Sequence, residues 1–435
     1  MGDALRAFSK GHSVADDSLA KGEEQNERAT TPLLRDRAYL AWMVGDTASA
    51  FGMGLTFFAT PLLAVLVTGS ASQAGIVAAA ASVGGVVGLL PGGVLADRFD
   101  RKSLRAWSAI SGAAICAAIV LLLFFSWLDG PTLAVLGFLL QLRGSLFGPA
   151  SDAILRAVVG KERMSRAVVA NQARDSAVAI ASGPAGGALY AIAPIVPFIV
   201  NTAAFVLFWI TNRGLSSSKP RGQMKPGAVW TDFGEGVTYV VRAPLLRSGV
   251  ITFSLLNLAT SGVVMTMILH LQISGASPQQ IGLINLVVGV GALLGALMAN
   301  PVISRVRSGI ILMVGVLLIA SSMVGVALSP SFTVGLAVFA VALLAGPAVN
   351  ATVGGLLMYV IPDEILGRVM SVLYFCTGAL MPLSPAIAGV GLDTLGYRGT
   401  LFVFAGVAGL AAIVALSSRA LRQLPASGQW HTVSL

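Results

Sequence analysis

Apolar runs of about 20 residues, separated by short polar stretches, repeat along the chain. They fall near 39–67, 74–96, 104–127, 132–158, 167–192 and 195–212, then near 246–271, 280–303, 310–329, 333–360, 367–391 and 400–417. Each matches the thickness of bilayer hydrocarbon, and lipid leaves backbone groups no partner outside a helix. The pattern predicts an all-α membrane protein with twelve transmembrane helices, spans one to twelve. A mixed-charge stretch over 1–37 reads as a disordered tail without the apolar core of a cleavable signal. A charged, proline-containing loop over 214–245 separates a six-helix bundle at 38–213 from a second at 246–417, and a tail follows at 418–435.

The halves resemble each other. At an offset of 207, Gly75, Gly84, Gly88 and Arg98 fall on Gly282, Gly291, Gly295 and Arg305. Gly-Pro-Ala recurs at 148–150 and 346–348, and the loops before spans five and eleven pair Arg166 with Arg368. Two pseudo-symmetric bundles related by an axis along the membrane normal are expected, with a substrate site between them near the midplane.

Composition agrees with a membrane chain: 56% of residues are hydrophobic and 11% charged, against about 25% charged in a soluble domain. The net charge of +9 is unevenly placed. Every Lys and Arg except Arg143, Arg174 and Arg398 lies in the tails or the even-numbered connections. The positive-inside rule puts both termini and the central loop in the cytoplasm, so the excess charge is topology and no nucleic-acid partner is expected. Cys116 and Cys376 sit singly within spans, and His12, His270 and His431 are scattered, so neither a metal site nor a disulfide framework nor a cofactor is expected.

The stretch Gly93-Val-Leu-Ala-Asp97-Arg98-Phe-Asp100-Arg101-Lys102 resembles the loop between spans two and three of the major facilitator superfamily, with Asp100 in place of that pattern's second glycine. Gly45-Asp46, LFGPASDAIL in span four, the span-five segment around Gly183-Pro184-Ala185-Gly186-Gly187-Ala188, and EGVTYVVRAPLLR resemble its proton-coupled drug, macrolide and siderophore exporters. Ala188 departs from the Gly-Pro-x-x-Gly-Gly of antiporters. The resemblance implies a major facilitator fold and a conformational latch of Gly93, Asp97, Arg98, Arg101 and Lys102 against Arg368 at the start of span eleven. An acid at that helix N-terminus is worth about 1 kcal/mol, made only while the bundles close on the cytoplasmic side. Gly183, Pro184 and Gly187 are expected to serve packing or flexing, since proline frees a backbone carbonyl and glycine admits a close neighbour. Gly84, Gly88 and Gly92 share one face of span two, suited either to packing or to gliding against the opposite bundle.

Ionisable residues inside spans are costly and functional by default. Asp46, Arg143, Asp152, Arg174 and Asp175 all lie in the first half, so proton coupling is expected there. Asp46 is the leading protonation site, two turns inside span one with no basic neighbour on its own helix. Asp152 and Asp175 have Arg156 at i+4 and Arg174 adjacent, which suits structural ion pairs, and Arg143 is suited to a facing carboxylate. Helical spacing aligns Asp46 with Ser49, Met53, Thr56 and Thr60, then Gln141 with Ser145 and Asp152, and Asn171 with Asp175, as walls of a wetted cavity.

The expected function is proton-coupled efflux of an amphipathic small molecule across the cytoplasmic membrane by alternating access, with the chain acting as a monomer. Nutrient uptake by proton symport is the alternative on the same fold. A membrane enzyme is disfavoured by the lack of a phosphate-cradling loop or HExxH motif, and a receptor by the lack of a sizeable soluble stretch.

Overall fold

The computed structural model describes residues 33–216 and 228–433, and every regular element among them is helical. The expected tail over 1–37 thus lies outside the described residues as far as 32. Span one is Arg37–Thr68, span two Ala71–Arg98, span three Arg101–Phe124 and span six Val196–Arg213. Spans four and five form one element, Gly130–Ile192, broken at Gly160, whose φ of 75° favours a residue without a Cβ. In the second half, span seven is Pro244–Ile273, span eight Pro278–Arg305 and span nine Ser308–Leu328. Span ten has two pieces, Phe332–Leu343 and Gly346–Val360. Span eleven starts as Asp363–Gly378 and continues into Leu383–Ser417, which breaks at Gly396 to become span twelve. Among the described residues, 10 helices are long and apolar enough to cross a membrane. The break at Gly396 and the more polar helix after Gly160 account for the other two spans.

Short side chains start several spans by taking up orphan N–H groups. Ser70, Asp100 and Asp129 accept from the N–H of Gln73 at 3.4 Å, Ser103 at 2.9 Å and Thr132 at 2.9 Å. Arg307 stands where the repeat has Asp100 and makes no side-chain cap for span nine. Instead the N–H groups of Ser308 and Gly309 donate to the carbonyls of Pro425 at 3.2 Å and Leu424 at 3.1 Å. The Trp430 indole donates to Ser308 Oγ at 2.9 Å, so the segment after span twelve is a fitted part of the second bundle.

Asp36 caps span one, accepting from Ala38 N at 3.0 Å and Tyr39 N at 3.3 Å, and pairs with Arg163 at 2.9 Å. Burial opposes its charge, but hydrogen bonds from Arg163, Tyr39 and Ala38 outweigh it and hold the carboxyl below its ordinary value. A lowered folded pKa gives stability that is complete above the unfolded value of about 4 and is lost as pH falls through the folded value. Asp36→Ala is expected to cost about 1 kcal/mol near neutral pH, with the gap to the parent closing in acid, as thermal unfolding across pH will show.

The connection over 214–245 is not simply a loop. It carries an amphipathic helix, Ala228–Arg242, whose Phe233, Val237 and Val240 pack with Val369, Val372 and Leu373 of span eleven. Glycines at 234 and 236 weaken its local signal, and burial against span eleven overrides them. Gly236 lies where a Cβ would be 3.0 Å from the Arg368 carbonyl.

The bundles meet at the ends poor in Lys and Arg. There Gly389 packs on Ala71 and Gly75, joining spans eleven and two, and Gly187 packs on Pro278 and Gln279, joining spans five and eight. The Arg166–Arg368 register places Gly187 on Gly389, so the two contacts are pseudo-symmetric equivalents. Toward the basic ends the bundles part: Val168 and Val169 of span five and Leu293 and Leu297 of span eight are exposed. A cleft of about 360 Å³ separates Gly93 and Val94 from Gly367 and Arg368. The face of Gly84, Gly88 and Gly92 does not glide on the opposite bundle; it seats span two on Phe138, Leu142 and Ser145 of span four in its own bundle.

Candidate functional site

A cavity of about 310 Å³ lies between the bundles. From the first bundle Met53, Thr56 and Thr60 of span one and Gln141 and Ser145 of span four line it, joined by Phe57, Ser82 and Gly85. The second bundle contributes Ser261 and Met265 of span seven with Gly378, Met381 and Pro385 around the break in span eleven. Among the described residues, no charged side chain lines it. Apolar and thioether groups supply adaptable contact while hydroxyls and one amide supply hydrogen bonds, a lining suited to uncharged or weakly polar amphipaths of varied shape. Ser49 and Asn171 do not line the cavity. Asn171 Oδ1 is buried without a partner.

About 10 Å from Met53, two turns toward the basic end of span one, Asp46 sits in a charged cluster drawn from five spans. Arg174 of span five meets its Oδ2 at 2.8 Å, and Arg105 of span three meets its Oδ1 at 3.5 Å. Ser151 of span four donates to the same Oδ1 and accepts from Arg105 in short contacts. Arg105 also donates to Asn212 Oδ1 of span six at 3.3 Å, and Asn212 Nδ2 donates to the Lys102 carbonyl at 3.0 Å. Arg105 lies on the Phe208 ring at 4.4 Å, and Trp42 donates to the Ser151 carbonyl at 3.1 Å. The cluster is closed from solvent on one side, with the Arg105 side chain 1% and that of Asp46 19% exposed. The expectation of a carboxylate without a basic neighbour holds along span one but fails in three dimensions, where two guanidiniums converge on it.

The remaining intramembrane charges separate into distinct environments. Arg174 also bonds Asp175 at 2.6 Å, so the adjacent pair forms but shares its arginine with Asp46. Asp152 is exposed and makes no ion pair with Arg156 among the described residues. Arg143 faces no carboxylate among the described residues. It is buried against the Phe205 ring at 4.4 Å, donates to Ser108 Oγ at 2.7 Å and meets Met53 Sδ at 3.2 Å, leaving its Nε unpartnered. An arginine in this setting is held by hydroxyl, sulfur and ring faces in place of an anion.

At the basic end the expected latch is only partly in view. The Asp97 side chain lies outside the described residues. Arg98 is exposed, Arg101 Nε donates to the Ala96 carbonyl at 3.5 Å, and Lys102 donates to the Arg213 carbonyl at 3.0 Å. Arg368 binds Asp232 at 3.0 Å and Glu235 at 2.6 Å. Those acids belong to the Ala228–Arg242 helix, whose docking on span eleven brings two carboxylates to an arginine that the resemblance assigned to Asp97. Gly183 and Gly187 pack directly against span eight, with Pro184 between them inside a continuous helix.

Reasoning along the chain missed Arg105, Ser151 and Asn212 in the cluster, and Ser261, Met265 and Met381 in the cavity. Arg105 follows so closely on Arg101 and Lys102 that it counts as loop charge, although it lies one turn inside span three. The three second-bundle residues carry no charge, and only Ser261 is polar enough to stand out.

A family model described as Major Facilitator Superfamily matches residues 43–277 and 249–431. The chain is 26% identical over 397 residues to the multidrug efflux pump Tap of Mycobacterium tuberculosis (strain ATCC 25618 / H37Rv), covering 88% of this chain and 93% of that one. It is 31% identical over 211 residues to the MFS-type transporter YfiS of Bacillus subtilis (strain 168), a stretch that spans 47% of this chain and about half, 49%, of the relative. Among solved structures, a D-xylose-proton symporter superposes with a TM-score of 0.68 at 14% identity, covering 92% of this chain and 100% of the other.

Proposed function

Because the chain belongs to the Major Facilitator Superfamily and is a multi-pass membrane transporter, we propose that it exports amphipathic small molecules in exchange for protons by alternating access. The supporting observation is a cavity walled by both bundles, with no charged side chain in its lining among the described residues, set beside a carboxylate cluster confined to the first bundle. Cargo and proton then have separate seats on span one, two turns apart. The likeness to a multidrug efflux pump over most of both chains favours efflux of varied cargo. Both cavity walls come from one chain, which suits a monomer.

With the basic ends in the cytoplasm, the bundles are open inward and closed outward. Asp46 is then ion-paired as a carboxylate in the state that faces cytoplasmic cargo. A proton arriving from the outside would remove the charge that Arg174 and Arg105 bind, loosening the tie between spans one, three and five. Releasing that proton inward restores the cluster as cargo enters. Arg143, wedged between Met53 and Ser108, supports the wall nearest the cavity.

The cavity reading has a direct test. Gly85 lines the space, and a Cβ there meets only Ser145 Oγ at 3.8 Å. Gly85→Leu is expected to fill the cavity without a clash. Across a panel of uncharged and cationic amphipaths, compounds that raise the melting temperature of the purified parent are expected to lose that effect in the variant, with its own melting temperature unchanged. Equal stabilisation of parent and variant would place the cargo elsewhere.

A further inference from the structure

We propose that Asp393, at the outer end of span eleven, is a clasp that sets how strongly the outer gate stays shut. Its Oδ2 accepts from the backbone N–H of Ser72 at 2.9 Å and from Ser70 Oγ at 3.1 Å. The donors are the N-cap, Ser70, and a first-turn residue, Ser72, of span two, in the opposite bundle. The contact joins a carboxylate to the positive end of a helix dipole, where orphan N–H groups await a partner. Ser72 Oγ adds a longer contact to the Gly389 carbonyl at 3.5 Å, one turn back along span eleven. Because the partners lie on different bundles, the bonds exist only while the outer ends are together.

The clasp is one-sided. In the register that pairs Gly187 with Gly389, the position equivalent to Asp393 is Ala191, which offers no acid to span eight. The N-terminus of span eight is instead satisfied locally, by a capping box between Ser277 and Gln280. Among the described residues, outer closure therefore has glycine packing at both equivalent seams but a charged bond at only one, between spans two and eleven. Asp97 occupies the last turn of that same span two, and the family resemblance pairs it with the start of span eleven. The same two helices would then trade one acid-to-helix contact for the other as the gates alternate. The clasp rests on the alternating-access reading.

The test uses the full-length protein in nanodiscs, with Cys116 and Cys376 replaced by serine. Spin labels at Trp127 and Thr333 report the outer ends, and labels at Val168 and Leu297 report the cytoplasmic ends. Parent protein is expected to populate two distance ranges at each pair; one range only would defeat alternating access itself. Asp393→Ala is expected to shift the population about threefold to tenfold toward outer-open, cytoplasm-closed distances. Asp393→Glu is expected to recover part of that shift. Two ranges in unchanged proportion in Asp393→Ala would overturn the clasp, as would a lengthening of the outer distance without shortening of the inner one.

Discussion

Gly389→Val is expected to hold the outer ends of the bundles apart and to remove most transport. A Cβ at 389 runs into the Ala71 carbonyl and lies 3.0 Å from Gly75 Cα, both backbone atoms of the opposite bundle that no rotamer change can move aside. Overpacking of this kind costs about 1–3 kcal/mol. The cost arises only when the outer gate is shut, so it acts on the conformational equilibrium and depletes the inward-open state about 5- to 150-fold. Gly187→Val, at the equivalent seam against Pro278, is expected to behave alike. Gly406→Val is the control, since Gly406 is exposed and a Cβ there meets nothing within 4 Å. Initial export rates in membrane vesicles check all three; parental rates in Gly389→Val would mean that the gate does not close at this seam.

The span count was legible because bilayer thickness imposes one length scale on every crossing helix, and twelve apolar runs of that length recur in the chain. The repeat was legible too, through Gly75 and Gly282 or Arg166 and Arg368. What one dimension withholds is the partner. Gly84, Gly88 and Gly92 announce a close neighbour by their spacing, but nothing along span two says that the neighbour is span four and not the other bundle. Asp46 has no base within a turn on its helix, yet Arg105 and Arg174 reach it from 59 and 128 residues away. Asp393 lies beyond the apolar core of span eleven and reads as surface until Ser70 and Ser72 come opposite. The Ala228–Arg242 helix shows how burial outweighs propensity, because Gly234 and Gly236 argue against a helix that packing on Val369 and Val372 nevertheless holds.

Asp46→Asn is expected to abolish gradient-driven export. The amide keeps the shape of the carboxylate but cannot gain or lose the coupling proton, and it leaves Arg174 and the fully buried Arg105 without their shared charge. Removing one member of a buried ion pair costs about 3–5 kcal/mol. Ser151 and Asn212 remain as hydrogen-bond partners of Arg105, so the loss is expected at the low end of that range and the protein should still fold. Arg174→Gln offers a second route to the same cluster, with Arg105 still paired, and is expected to impair coupling while costing less stability. Cargo-dependent thermal stabilisation is expected to persist in both variants, because the cavity lies two turns away along span one.

The most direct measurement uses inverted membrane vesicles in which a pH gradient, acidic inside, is imposed and followed with a pH-sensitive dye. With a compound that stabilises the purified parent protein, the parent is expected to accumulate that compound in the vesicles while releasing protons, and to stop when the gradient is collapsed. Asp46→Asn is expected to do neither. Accumulation that persists after collapse of the gradient, or that continues unchanged in Asp46→Asn, would contradict proton-driven export through this cluster.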